Sequence, residues 1–422
     1  MAQIPLPYGK KQLTLDFNAH FDGEAEIFFP RSIPDLNIMT CKEIVEAISS
    51  AYSDFSISND NSIAISVNDP TRPIPYDRIL PPLIRYLKDR GATDENITLY
   101  IATGTHRNLT KKEKSAYLPD DVLKKYRTIV HNCDDGDNLI NLGYSAAGTP
   151  IHINKRFYRS DIKIVTGHIE PHHFMGFSGG VKSAAIGLAG RKTIETNHRM
   201  LILPDAVMGR YESNPMRTDI EDIGKKMGID LALNVVLDNG KNIVGVFFGS
   251  PANVMTQGIT LSRKLCQIQA PTDFDLVICS AGGYPKDVNL YQAQKAITHA
   301  CAFLKEGGTI LLIAECREGF GSQGFQKFIE KHQFPTEIIN AFEQSPFKIG
   351  PHKAYQLALQ ALKHKIILIS RLPKDNVLQH LLHQANSLSE GLAMSRIWLP
   401  DNPKVAVLPY ATHLMNLRGD IL

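Results

Sequence analysis

Five short segments of this 422-residue chain are apolar at nearly consecutive positions and then break off at glycine or a polar turn: "SIAISVND", "NITLYIATGTH", "DIKIVTGHI", "DLVICSAGG" and "GGTILLIAEC". A strand with one wet face alternates apolar and polar residues. A run that is apolar on both faces is covered on both, the usual condition of a parallel strand between layers of helix. Helical patterns separate these runs. "MTCKEIVEAISSAYS" reads as a helix, with Thr40 as N-cap and Glu43 completing a capping box. "ILPPLIRYLKDRG" and "LYQAQKAITHACAFLK" read as further helices, and "LTLDF", "AEIFFP", "HKIILISRLP" and "NPKVAVLPY" as further strands. The rhythm stops across "GSPANVMTQGITLSRKLCQIQAPTDF" and then restarts. The expected fold is therefore α/β, with two α/β domains of mostly parallel sheet, residues 1–268 and 269–422. The last ~20 residues are expected to return to the N-terminal domain. An interdomain cleft is the default active site.

Bulk properties exclude several classes. A hydrophobic content of 43% and a charged content of 21% are those of an ordinary globular protein. The formal net charge of +3 is too small, and the basic residues too scattered, for a nucleic-acid surface. No apolar stretch is long enough for a membrane span. The start, "MAQIPLPYGKKQLTLDF", lacks the apolar run of a secretory signal. The six cysteines, at 41, 133, 266, 279, 301 and 316, form no C-x-x-C pair, so neither a disulfide framework nor a cysteine zinc site is expected. A cytoplasmic location is the default expectation.

Function in parallel sheets gathers at the carboxyl ends of strands. Three polar loops follow apolar runs in the first half: "NDPTRP" (68–73), "TGTHRN" (103–108) and "GHIEPHHFMGFSGG" (167–180). "TIETNHRM" adds His198, and "GGYPKDVNLYQAQK" (282–295) opens the second half. Together they supply Asp69, Arg72, His106, His172, Lys182, His198 and Lys295. Each has a plainer reading. Asp69 and Arg72 would close a proline-stiffened turn. A histidine at a strand end is more often a hydrogen-bonded surface residue than a catalyst. "GFSGGVKS" approaches the phosphate loop G-x-x-x-x-G-K-[ST], but Val181 stands where the second glycine is required. The glycine run would enter a helix whose first N–H groups favour an anion, with Lys182 a turn further in. A cofactor with a single phosphate suits this better than a triphosphate.

"DPTRP", "GTHR", "IEPHHFMGFSGGVK", "NHRM" and "YQAQK", in this order over essentially the whole chain, resemble the nickel-dependent lactate racemase family. The resemblance implies nickel held in a nickel pincer nucleotide, a pyridinium-3,5-bisthiocarboxylic acid mononucleotide that is covalently attached to Lys182. His198 would be the metal ligand. Ser178, Gly179, Gly180 and Tyr291 would contact the cofactor. Cofactor-synthesis proteins would be needed for activation. The implied reaction is racemisation or epimerisation of a small 2-hydroxy acid through a 2-keto acid. His106 and His172 would serve as catalytic bases for opposite enantiomers. Arg72 and Lys295 would hold the substrate carboxylate, with Gln292 beside them and Asp69 orienting a neighbour. Two positions depart from the family pattern. Met175 replaces a small residue and would alter the substrate pocket, and Val181 replaces an arginine. His168 and His173 read as structural. The rival readings are a phosphate-loop enzyme, a zinc hydrolase using His106, His172 and His198, and a non-catalytic binding protein.

Overall fold

The computed structural model describes residues 3–22, 24–30, 36–50, 57–72, 74–374 and 376–416. Pro73 of the first polar loop and residues 417–422 lie outside the described residues. The strands that matter here are β1 (Ala25–Ile27), β2 (Ile63–Asn68), β3 (Ile97–Ala102), β4 (Arg127–Val130), β5 (Ile162–His168), β6 (Leu231–Leu237) and β7 (Ile243–Gly249). They continue with β8 (Phe274–Ser280), β9 (Leu304–Ile313), β10 (Lys365–Ile369), β11 (His383–Ala385) and β12 (Val405–Leu408).

The chain divides into two compact units, Ser32–Leu265 and Met1–Arg31 with Cys266–Leu422. The first holds a six-stranded sheet in the order β7-β6-β5-β2-β3-β4, parallel except for the β6–β7 pair. The runs read as doubly covered strands are so: β5 is buried at every position and β2 at all but its last. The helix Cys41–Ser50 starts as its sequence implies. Thr40 N–H donates to Glu43 at 2.6 Å, and Glu43 N–H donates back to the Thr40 hydroxyl at 3.3 Å. The second unit holds an all-parallel sheet in the order β11-β10-β9-β8-β12-β1. The two units are thus both α/β with mostly parallel sheet.

The division differs from the expected 1–268 and 269–422. β1 pairs with β12 and completes the edge of the second unit's sheet, with Ala25 opposite Val405. A hairpin of Gln3–Tyr8 and Lys11–Asp16 packs Ile4, Leu6 and Leu15 among Leu276, Ile278 and Leu311. The described end of the chain groups with the second unit. Met415–Asn416 pairs with Gln267–Ile268, and the Asn416 side chain accepts from Ala270 N–H at 3.1 Å. Among the described residues no helix is long and apolar enough to cross a membrane.

Candidate active site

In the Ser32–Leu265 sheet the chain steps from β2 to β3 and β4 on one side, then places β5 and β6 on the other. The order reverses between β2 and β5, and a crevice forms at such a point beyond the carboxyl ends of the strands. The loop carrying Asp69 and Arg72 leaves β2, the loop carrying His172 leaves β5, and the loop carrying His106 leaves neighbouring β3. The other unit repeats the arrangement. Its order reverses between β8 and β12, and the loop leaving β8 leads into the short helices Leu290–Ala293 and Lys295–Cys301.

Asp69 both closes its turn and holds a histidine. Thr71 N–H and Oγ1 donate to Asp69 Oδ1 at 3.0 and 2.5 Å, closing the turn. His106 Nδ1–H donates to Asp69 Oδ2 at 2.5 Å. Burial raises the Asp69 carboxyl, but the hydrogen bond and charge of His106, with Arg72 and Thr71, outweigh it and hold the group below its ordinary value. A carboxylate on Nδ1 leaves Nε2 as the atom of His106 able to take up a proton. The His106 side chain is 49% exposed while Asp69 is 6% exposed, so the imidazole is presented outward on a buried support.

The second group is built on a braced hairpin. Pro171–His172 pairs with Gly176–Phe177, and Gly176 has a φ of +70°. A Cβ on Gly176 would lie 1.8 Å from the Arg210 carbonyl oxygen, so only glycine fits. Asn214 Nδ2 donates to the Phe174 carbonyl at 2.9 Å. Met175 is fully buried, and its N–H donates to His172 Nδ1 at 3.2 Å. Its side chain is thus part of the core, while its backbone orients the histidine. His172 stacks on His173 at 4.6 Å between ring centroids, and Phe174 lies 5.7 Å from His198.

Two N–H groups of the glycine turn are taken within the protein. Ser178 N–H donates to the Glu170 carbonyl at 2.8 Å and Gly180 N–H to Asn234 Oδ1 at 3.0 Å. The helix that follows, Lys182–Ala185, has four residues and begins at Lys182 itself. Gly180 is required by packing: its φ is +59°, and a Cβ would lie 2.7 Å from Arg217 Nη2. Arg217 is 1% exposed, donates to the Phe177 and Gly179 carbonyls at 3.3 and 3.1 Å, and pairs with Glu221 at 2.6 Å. Val181, in place of the family's arginine, is buried against Gly224.

His198 lies on the helix Arg191–Arg199, partly exposed yet deep among protein atoms. That burial, reinforced by the charge of Lys182, pushes the imidazole down to about 3, so it is a neutral lone-pair donor at neutral pH. The residue before it is clamped. Asn197 Nδ2 donates to the Met216 carbonyl at 3.0 Å and to Asp219 at 2.9 Å, and Asp219 also accepts from Ser145 and Thr149. Neither Arg217 nor the Asn197–Asp219 clamp was singled out by sequence. Both act across long sequence separations, and no local pattern marks them.

In the other unit, Lys295 Nζ donates to Gln292 Oε1 at 2.8 Å, and Tyr291 packs edge-on against Phe325 at 6.1 Å. An open hollow there is lined by Asn289, Phe320, Ser322 and Leu372; none of the sequence-predicted site residues lines it. Among the described residues no three or more His, Cys, Asp or Glu side chains gather to hold a metal, so the zinc-hydrolase trio is not assembled.

Residues 8–209 match the lactate racemase N-terminal domain and residues 269–415 the lactate racemase C-terminal domain. A lactate racemase of Thermoanaerobacterium thermosaccharolyticum is 30% identical over 97% of this chain and 98% of its own. One of Lactiplantibacillus plantarum is 31% identical over the same shares. This chain belongs to the lactate racemase family. It is a racemase-class isomerase. The structure of the Thermoanaerobacterium lactate racemase apoprotein superposes with a TM-score of 0.90 at 29% identity, covering 99% of this chain and 100% of that one. A Thermotoga maritima protein at 18% identity and a TM-score of 0.68, covering 90% of this chain and 99% of its own, shares the fold.

Proposed function

We propose that this member of the lactate racemase family interconverts the enantiomers of a 2-hydroxy acid, lactate or a related acid, with a nickel pincer nucleotide tethered to Lys182. The observation that carries this reading is the His106 imidazole held on Asp69 at 2.5 Å, in the same unit as a half-buried His198 that lies close enough to Lys182 to feel its charge. His198 and Lys182 fit the group in two respects. An imidazole must be unprotonated to bind a metal. A site offering one imidazole, with no other metal-ligand cluster among the described residues, suits a metal that arrives with its own sulfur donors. Ser178, Gly179 and Gly180 shape the turn that presents Lys182, and Tyr291 is a further proposed contact. When bound, the cofactor supplies an acceptor for the C2 hydrogen as hydride.

The chain's residues do the rest. His106 takes the substrate hydroxyl proton at Nε2, held in that tautomer by Asp69. Loss of that proton with the C2 hydrogen leaves a planar 2-keto acid that can be reduced on either face. His172 handles the proton for the opposite enantiomer. It can accept at Nε2 only in the tautomer that gives up the bond from Met175 N–H, a long one at 3.2 Å. Arg72 and, in the other unit, Lys295 steadied by Gln292 are each proposed as cations for a carboxylate. Met175 acts through the placing of His172. Cofactor-synthesis proteins are the implied partners.

Chiral analysis of lactate and of a panel of related 2-hydroxy acids after incubation with cofactor-loaded protein tests the proposal; unchanged enantiomeric composition of every one refutes it. The ligand assignment has its own test. After loading and desalting, His198→Ala is expected to retain less nickel than His106→Ala, since only His198 is assigned to the metal. Equal nickel in the two variants would remove that assignment.

A further inference from the structure

The seam between β2 and β5 opens before either strand ends. The two strands pair from Ile63 opposite Ile162 to Ser66 opposite Val165. Beyond that point β2 goes on pairing with β3, as far as Asn68 opposite Ala102, and β5 with β6, as far as His168 opposite Val235. Side chains take the backbone groups where the two strands part. Tyr76, the first residue of the helix Tyr76–Lys88, is fully buried, and Asn68 N–H donates to its hydroxyl oxygen at 2.6 Å. Thr166 Oγ1 donates to the Ser66 carbonyl at 2.7 Å and lies 3.1 Å from the Tyr76 oxygen. The one hydroxyl proton of Thr166 is given to Ser66, so Tyr76 is the donor in that contact. The relay runs in one direction, from Asn68 N–H through Tyr76 and Thr166 to the Ser66 carbonyl. Burial, helped by the charge of Asp69, holds the phenol above its ordinary value against the pull of these bonds, so it stays a donor.

Further rungs of ladder would satisfy the strand ends with no side chain at all. A phenol brought from the start of a buried helix is needed only where the strands are to stand apart. Both loops beyond this fork carry a proposed base. Asn68 is followed by Asp69, which holds His106, and β5 leads into the hairpin of His172.

We propose that Tyr76, acting with Thr166, is a positioning residue of the racemase site: its hydroxyl keeps the β2–β5 seam open and so sets the separation of the His106 and His172 imidazoles. Two bases serving opposite enantiomers of one bound substrate tolerate little error in that separation, since a misplacement of about 1 Å costs about 10²-fold in rate. The inference rests on the racemase reading above. The test compares Tyr76→Phe, Thr166→Val and Thr166→Ser with Leu83→Ala, a fully buried residue of the same helix outside the relay. In cofactor-loaded protein, at a temperature where every variant is folded, Tyr76→Phe and Thr166→Val should each lose about tenfold or more in kcat with little change in KM. Thr166→Ser keeps the hydroxyl and should keep most of the activity. The double variant should be no worse than the poorer single, because both substitutions break one relay. Leu83→Ala should lower Tm at least as much and leave kcat in place. Wild-type kcat in Tyr76→Phe, a matching kcat loss in Leu83→Ala, or additive losses in the double variant overturns the proposal. Should Tyr76→Phe not fold, Thr166→Val carries the same comparison. Crystal structures of the cofactor-free wild type and variant supply a readout that needs no activity. The distance between the His106 and His172 rings should change, and an unchanged distance overturns the proposal by itself. Absence of racemisation by wild type refutes the racemase reading instead, and that distance still decides the role of the relay.

Discussion

Lys182→Ala is expected to abolish racemisation and, after exposure to the cofactor-synthesis proteins, to show the unmodified mass of the chain where wild type shows an adduct of mononucleotide size. The substitution removes an amine and little else. Lys182 opens a four-residue helix whose next three residues are buried, and alanine is the best helix former, so the turn should persist. The glycine turn before it is held from outside by Arg217 and Asn234. Loss of activity should therefore come without loss of fold, checked by an unchanged Tm. Full activity in this variant, at matched cofactor exposure, would end the tethering proposal.

Replacing either His106 or His172 by alanine is expected to stop net racemisation, because each direction of the reaction passes through both residues. The half-reactions should differ. With one imidazole intact, a single turnover of the matching enantiomer can still give the 2-keto acid, recoverable after acid quench. The expected result is crossed: His106→Ala loses 2-keto acid from one enantiomer and His172→Ala from the other. General acid–base help is worth about 10²–10⁴ in rate, so the asymmetry should be far outside experimental scatter. Loss of the same enantiomer in both variants would put both imidazoles on one side of the substrate and leave one of them a positioning group.

The strands and their polar ends were legible because burial on both faces imposes an unbroken apolar run. β2, β3 and β5 lie within the runs so identified, and β8 starts one residue before its run. Asp69, His106 and His172 were legible as polar residues in the loops after those runs, and Lys295 from the helical pattern that follows β8. The support beneath them was not. Arg217 reaches back to Phe177 and Gly179, and Asp219 gathers Ser145, Thr149 and Asn197, from places that only the folded chain makes adjacent. The partners of the glycine turn were not legible, because Ser178 N–H goes to the Glu170 carbonyl and Gly180 N–H to the Asn234 side chain, the latter far along the chain.

β1 belongs to a sheet whose adjoining strand, β12, lies near the far end of the chain. On the ribosome, Ala25–Ile27 emerges early but has no strand to join until Val405–Leu408 has been made, and the hairpin before it waits for β8 and β9. The Ser32–Leu265 unit already has all its strands by then. For most of translation Ile4, Leu6 and Leu15 are apolar side chains without a core. A nascent chain released early would present them, beside an unpaired sheet edge, to every other unfinished copy. Ordering the strands this way makes the second unit the last part of the molecule to become safe from aggregation.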